Sequence, residues 1–246
     1  MNKHIYIQAR EGSSRFPKKI LKKIDGKTIL ELIVERAQKI EKATQVIIVT
    51  GNAEKNQTII NLAKKMKIPY WHGSEENILD RFYHASKKFD SDIIIRITGD
   101  CPIIDFEIID KGLCIYDEKK VDGLTNTKKR TFPHGLDFEI FSKSSLEKIW
   151  KQNKEKFSNE EEFLNTFMNP VKDLFEDKQF KIYNLENELD LSHIRLTVDY
   201  PEDFLVIEKI YEKIYPKKKD FTIKDVLEFL NQNKEILELN KNRSIY

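Results

Sequence analysis

The sequence predicts an α/β protein built on a doubly wound, mostly parallel sheet, and three observations predict it. Short β-rich apolar runs alternate with amphipathic helical stretches through the first half of the 246 residues, the pattern of successive strand–helix–strand units. One run, Ile93-Ile94-Ile95 followed by Ile97, is apolar on both faces, as a central parallel strand must be. The first strand ends in a basic loop of small residues, and in such sheets ligands bind at the carboxyl ends of the strands.

In chain order, strand-like runs fall at 4–7, 45–50, 68–71 and 92–98, with helical spacing at 28–40, 53–65 and 78–89 between them. The first of these helices places Ile29, Leu32, Ile33, Arg36 and Ala37 at i, i+3, i+4 intervals. The second half is less regular. Residues 138–141, 180–184 and 195–198 have strand character, while 145–154, 159–169, 202–214 and 223–231 have helical character. The segment 128–191 is expected to leave the main sheet as a lid or dimerisation arm, so the chain is read as one domain, 1–246, carrying one arm. The arm's Phe157, Phe163, Leu164, Phe167, Leu174 and Phe175 suit a local helical core. The polar stretch beyond Leu239 is expected to fray.

Composition narrows the function. Lys+Arg 43 and Asp+Glu 41 leave a net charge of only +2, so no polybasic field points to nucleic acid or to a membrane surface. The two cysteines, Cys101 and Cys114, form no CxxC pair, which argues against a zinc site or disulfide framework and fits a reducing compartment. No apolar run approaches membrane-span length and no signal peptide is evident. A cytoplasmic protein acting on small molecules is expected.

The loop Q-A-R-E-G-S-S-R-F-P-K, Gln8 to Lys18, carries the most chemistry. Gly12, Ser13 and Ser14 would let backbone N–H groups approach an anion, and Arg10, Arg15, Lys18 and Lys19 supply positive charge, although a solvated turn has the same composition. It matches neither G-x-G-x-x-G nor a Walker A loop, since Gly26-Lys27-Thr28 has Leu21 where that motif needs glycine. Asp100, in Gly99-Asp100-Cys101-Pro102, follows the most apolar strand, where a phosphate-bound Mg²⁺ would need a hard oxygen, or where a helix near Phe106 would need a cap. Asp199 follows a short apolar run and precedes Pro201-Glu202-Asp203, which suits either a metal ligand or a helix start. In His134-Gly135-Leu136-Asp137-Phe138-Glu139, strand alternation puts Asp137 and Glu139 on one face, as on any surface strand, and His134 has the setting of a turn histidine. Asp80 and Arg81 sit among apolar Ile78, Leu79 and Phe82.

Five ordered segments resemble one family. Q-A-R-E-G-S-S-R-F-P-K-K, G-S-E-E-N-I-L-D-R-F-Y, I-R-I-T-G-D-C-P-I-I-D, T-F-P-H-G-L-D-F-E-I-F-S and L-S-H-I-R-L-T-V-D-Y-P-E-D together look like the spore-coat-polysaccharide-F type of cytidylyltransferase, relatives of the CMP-KDO and CMP-sialate synthetases. The resemblance implies a Rossmann-like, GT-A-like nucleotidyltransferase sheet with a helical/β arm, CTP as co-substrate, Mg²⁺, a sugar-like acceptor and a homodimer. It maps the nucleotide loop onto Gln8, Ala9, Arg10, Gly12, Ser13, Ser14, Arg15, Pro17 and Lys18, and the nucleoside pair onto Asp80 and Arg81. Metal aspartates map onto Asp100 and Asp199, and the acceptor side onto His134, Gly135, Leu136, Asp137 and Glu139. Catalysis is expected from Arg15, Lys18 and Asp100. The chain departs from the family's common wording at Glu11 and at Glu162-Phe163-Leu164-Asn165, where many members carry a histidine. A metal-dependent glycosyltransferase uses a similar sheet but needs an Asp-x-Asp motif, and Pro102 stands where its second aspartate would be. A non-catalytic nucleotide-binding protein is the remaining alternative.

Overall fold

The computed structural model describes residues 1–243. Its strands are β1 Lys3–Gln8, β2 Lys23–Ile24, β3 Lys27–Thr28, β4 Gln45–Thr50, β5 Tyr70–His72, β6 Ile93–Thr98, β7 Gly123–Thr125, β8 Phe138–Ser142 and β9 Ile182–Asn184. Its α-helices are α1 Ile29–Ala37, α2 Gln57–Met66, α3 Ile78–Lys88, α4 Phe106–Lys119, α5 Lys143–Lys154, α6 Glu160–Asn165, α7 Pro170–Phe175, α8 Pro201–Ile214, α9 Ile223–Gln232 and α10 Glu235–Glu238. Seven strands form one sheet in the order β5-β4-β1-β6-β8-β7-β9, and β2 with β3 forms a small separate ribbon. β1 pairs in parallel with β4 on one side and β6 on the other, while β8 runs antiparallel to β6. Strand order therefore reverses at β1 and β6, and the crevice beyond their carboxyl ends is where such a sheet places its ligand.

The pleat divides the core. Ile5, Ile7, Ile95 and Ile97 join Phe138 and Ile140 on the face packed against residues of α1, α4 and α8. Tyr6, Ile94 and Phe141 face the opposite way, toward Phe82, Leu146, Phe163 and Phe175. Helix starts are marked by side-chain caps, such as the Thr28–Glu31 capping box on α1 and Asp105, which accepts from the N–H of Glu107 and Ile108.

Several expectations change. Within 128–191, β8 and β9 belong to the central sheet, so only the helices and loops between them leave it. The helix expected over 159–169 stops at Asn165, because Thr166 is extended and Asn169, held out of helical geometry before Pro170, caps the separate helix α7. Residues 195–198 form no strand: Leu196 N–H bonds to the His134 carbonyl at 2.6 Å and Val198 N–H to that of Asp100 at 2.8 Å, two different loops rather than one ladder. The stretch after Leu239 is docked as far as Arg243: Asn240 is buried and Arg243 pairs with Glu202. Residues 244–246 lie outside the described residues.

Beneath β1, His4 Nδ1 and the Tyr6 hydroxyl both lie 2.7 Å from Ser91 Oγ. Burial lowers the His4 pKa from 6.5 despite Asp92 and Asp90 nearby. As pH falls through 6.5 the unfolded chain therefore takes up this proton first, and folding stability drops. His4→Gln is expected to flatten the fall in melting temperature between about pH 7 and 5.5. An unchanged slope would contradict this.

Candidate active site

A cleft of about 300 Å³ opens where the carboxyl ends of β1 and β6 diverge. The loop after β1 forms one wall, with Gln8, Ala9, Arg10, Gly12, Ser13, Ser14 and Arg15, and Asp100 and Asp199 close the floor. Glu11 anchors this loop: its N–H bonds to Asn56 Oδ1 at 2.8 Å, and its carboxylate accepts from the N–H of Thr58 at 2.7 Å. That bond satisfies a free donor in the first turn of α2. The tight backbone approach is not at Gly12, where a side chain would meet open space, but at Gly99, whose added Cβ would lie 3.1 Å from Ala9 Cβ and 3.2 Å from the Gln8 carbonyl oxygen.

The lysine in the cleft is Lys19, not Lys18. Lys18 adopts a left-handed conformation, φ 53°, that turns its side chain to solvent and starts the short 3₁₀ turn Lys19–Leu21. Buried Ile20 pins that turn, and Lys19 Nζ reaches 2.8 Å from both Asp100 Oδ2 and Asp199 Oδ1. Burial opposes its charge, yet the two carboxylates outweigh burial and raise its pKa. In return, although burial alone would raise it, Asp100 is brought down to about 2 by Lys19, with help from Thr98. Arg15 Nη2 also reaches Asp199 Oδ1, at 2.9 Å, and its guanidinium lies over the Tyr200 ring.

Opposite this cluster sit Ile78, Arg81, Arg96, Phe167 and Asn169. Arg81 is only 2% exposed; burial lowers its pKa to about 10, so it stays protonated at neutral pH, and its Nε has no partner. Arg96 Nε donates to Gln8 Oε1 at 2.8 Å and Nη1 to Glu139 Oε2 at 2.7 Å. Phe167, expected in the arm's core, is 60% exposed at the cleft mouth, because the Met168 carbonyl accepts from the N–H of Ile78 and fixes the loop beside it.

The remaining expected residues stand behind the cleft wall. Glu139 is buried; burial raises its pKa against the pull of Arg96, which it holds in place. Asp137 makes a bidentate pair with Arg130, at 2.5 and 2.8 Å, and does not share the Glu139 contacts. His134 Nδ1 lies 3.2 Å from Arg195 Nη1, and burial lowers its pKa. Gly135 has φ +110° and touches the Leu196–Thr197 backbone. Asp80 and Arg81 do not act as a pair: neighbouring positions on a helix point about 100° apart. Asp80 accepts from the Trp150 indole N–H at 2.9 Å, facing α5. Asp80→Ala is accordingly expected to cost about 1 kcal/mol of stability, a few degrees in melting temperature, while nucleotide affinity stays within about twofold. A calorimetric titration beside a thermal melt checks both.

Sequence reasoning missed Arg96 and Phe167 as lining residues, and it counted Lys19 among the loop's positive charges but gave the catalytic role to Lys18. Arg96 had a signal, as the one charge inside the run Ile93-Ile94-Ile95-Arg96-Ile97, near the strand end where ligands sit.

Comparison with known proteins places the chain in a family. The chain is 35% identical over 241 residues to an uncharacterized protein of Methanocaldococcus jannaschii, covering 96% of this chain and 93% of that one. It is 26% identical over 234 residues to the spore coat polysaccharide biosynthesis protein SpsF of Bacillus subtilis, covering 92% and 93%. The structure of a cytidylyltransferase from Leptospira borgpetersenii superposes with a TM-score of 0.83 at 31% identity, covering 100% of this chain and 99% of that one. The cytidylyltransferase family model matches residues 5–240, and the chain belongs to that family.

Proposed function

We propose that this protein uses CTP to activate a sugar, sugar acid or sugar or polyol phosphate as its CMP or CDP derivative, releasing pyrophosphate, in the biosynthesis of a surface glycan. The observation that carries the proposal is the meeting of Lys19, Arg15, Asp100 and Asp199 at the switch point of the sheet. An oxygen of the acceptor would attack the α-phosphorus of CTP, and pyrophosphate would leave in line. Arg10, Arg15 and Lys19 would hold the triphosphate and offset the charge that develops on the leaving group. The role in glycan biosynthesis draws support from the Bacillus subtilis relative, whose name places that protein in spore coat polysaccharide biosynthesis.

Asp100 and Asp199 also suit Mg²⁺. Both carboxylates lie within 2.8 Å of one ammonium, a spacing that already accommodates a cation, and Mg²⁺ commonly uses one or two carboxylates with substrate phosphates. When bound there, Mg²⁺ would polarise the α-phosphate. Arg10, Arg15, Lys19, Arg81 and Arg96 outnumber the two aspartates around the cleft, an excess that favours an anionic acceptor alongside the triphosphate. A phosphate acceptor would arrive ionised and need no general base. The homodimer expected through the arm, and a cytoplasmic location, belong to the same proposal; light scattering behind gel filtration tests the dimer.

The decisive experiment offers the purified protein each nucleoside triphosphate with Mg²⁺ and a panel of sugar phosphates, 2-keto sugar acids and neutral sugars, and measures pyrophosphate. Release with CTP and one anionic acceptor is expected. Release with another triphosphate but not CTP would overturn the base assignment, and exclusive use of a neutral acceptor would overturn the anionic one.

A further inference from the structure

Asp199 is held from behind by a buried cluster whose last member comes from the end of the described chain. Asp203 is fully buried. Its Oδ1 accepts from Arg195 Nε at 2.8 Å and from Asn240 Nδ2 at 2.9 Å. Its Oδ2 accepts from Arg195 Nη2 at 2.9 Å and from the backbone N–H groups of Asp199 and Tyr200, at 2.9 and 3.0 Å. A carboxylate has about four lone-pair sites, so this one is saturated. The Arg195 Nη2 that meets Asp203 also donates to Asp199 Oδ2 at 3.1 Å. Asn240 Nδ2 closes the ring by donating to the Arg195 carbonyl at 3.2 Å.

The backbone and one carboxylate oxygen of Asp199 are thus fixed, and its other oxygen, Oδ1, is left facing Lys19 and Arg15 in the cleft. We propose that Asn240, through Asp203 and Arg195, is a positioning residue that aims Asp199 Oδ1 at the cation bound with the nucleotide. The proposal rests on the reading of Asp199 as an oxygen ligand of that cation. Asn240 makes no contact with the cleft itself and earns its role by bridging both partners of the ion pair behind Asp199. Without it, Asp203 loses a donor in a dry site, and the Arg195 backbone is released.

The test is a double-mutant cycle read by metal binding. Mn²⁺ is titrated into the full chain with CTP present, and free Mn²⁺ is followed by electron paramagnetic resonance, for the wild type, Asn240→Leu, Asp199→Asn and the double variant. Leucine keeps the buried volume without the donors. Asn240→Leu is expected to weaken Mn²⁺ binding by about tenfold, the range seen when a metal ligand loses its supporting hydrogen bonds. Asp199→Asn is expected to weaken it more, and the double variant to match Asp199→Asn alone within about twofold, because Asn240 acts only through Asp199. Unchanged Mn²⁺ affinity in Asn240→Leu, or losses that multiply in the double variant, would overturn the proposal and leave a structural role. If the leucine variant does not fold, Asn240→Ser carries the same cycle with a smaller expected first loss. A wild type that binds no Mn²⁺, or binding indifferent to Asp199→Asn, would remove the inference and the metal reading together. A non-additive cycle in a protein that releases no pyrophosphate would sustain the inference and sink the proposed reaction.

Discussion

Lys19→Met is expected to lower turnover by at least ~10²-fold, the cost of removing a donor that meets charge developing in a transition state. Lys18→Ala is expected to retain most activity. The contrast follows from a single left-handed residue. Lys18 at φ 53° directs its side chain to solvent, and the next residue enters the 3₁₀ turn with its ammonium between Asp100 and Asp199. Methionine preserves the stem that lies along the cleft wall and removes only the charge. It leaves the two aspartates facing one another, so the half-saturating Mg²⁺ concentration is expected to shift even where CTP binding persists. Steady-state pyrophosphate release for both variants, with a thermal melt as a fold control, checks the pair of outcomes. Near-normal turnover in Lys19→Met, or an equal loss in Lys18→Ala, would refute the assignment.

Gly135→Ala is expected to be the most damaging small substitution. Gly135 has φ +110°, a conformation that L residues rarely adopt, and an added Cβ would lie 2.5 Å from Leu196 C and Thr197 N. Neither backbone atom can swing aside. The unfavourable dihedral costs roughly 1–2 kcal/mol and forced repacking typically 1–3 more, so a loss of about 3 kcal/mol is expected. For a chain of this size that corresponds to a fall in melting temperature of about 6–12 °C. Activity should fall as well, since the displaced strand of backbone runs on to Val198, which bonds to the Asp100 carbonyl, and to Asp199. A melt within about 2 °C of the wild type would show that the loop yields more easily than its contacts imply.

These residues also mark what was legible in the sequence. The parallel half of the sheet could be read because β4 and β6 carry long β-branched runs whose burial on both faces needs no partner information. The other half was read only in part: β8 and β9 were expected at 138–141 and 180–184, but β7, three residues that include Gly123, was missed, and no local pattern shows that β8 runs antiparallel to β6 and β7. At the site, residue types pointed to the basic loop after β1 and to Asp100 beyond β6, whereas Asp199, expected at a strand end, follows irregular backbone. Direction was the missing quantity. A charged residue next to another is indistinguishable in sequence, whereas one positive φ separates Lys18 from Lys19, and one helical step separates Asp80, bonded to Trp150, from Arg81 in the cleft. Glu139 and Asp137 were read as two like carboxylates, yet each is committed to its own arginine.

The clamp behind Asp199 has a consequence for how the protein is made. The loop at residues 9–18 leaves the ribosome long before Asn240 exists, by on the order of ten to forty seconds at synthesis rates of roughly 5–20 residues per second. In that interval β1, β4, β5 and β6 can pair as a parallel half-sheet, but Asp100 waits for Asp199 and Asp203 waits for its amide donor. On the proposed reading of the site, nucleotide would add to the stability of the fold only after these late contacts form. Until α8 and the stretch through Asn240 dock, that half-sheet stands on hydrophobic burial and its own strand ladders.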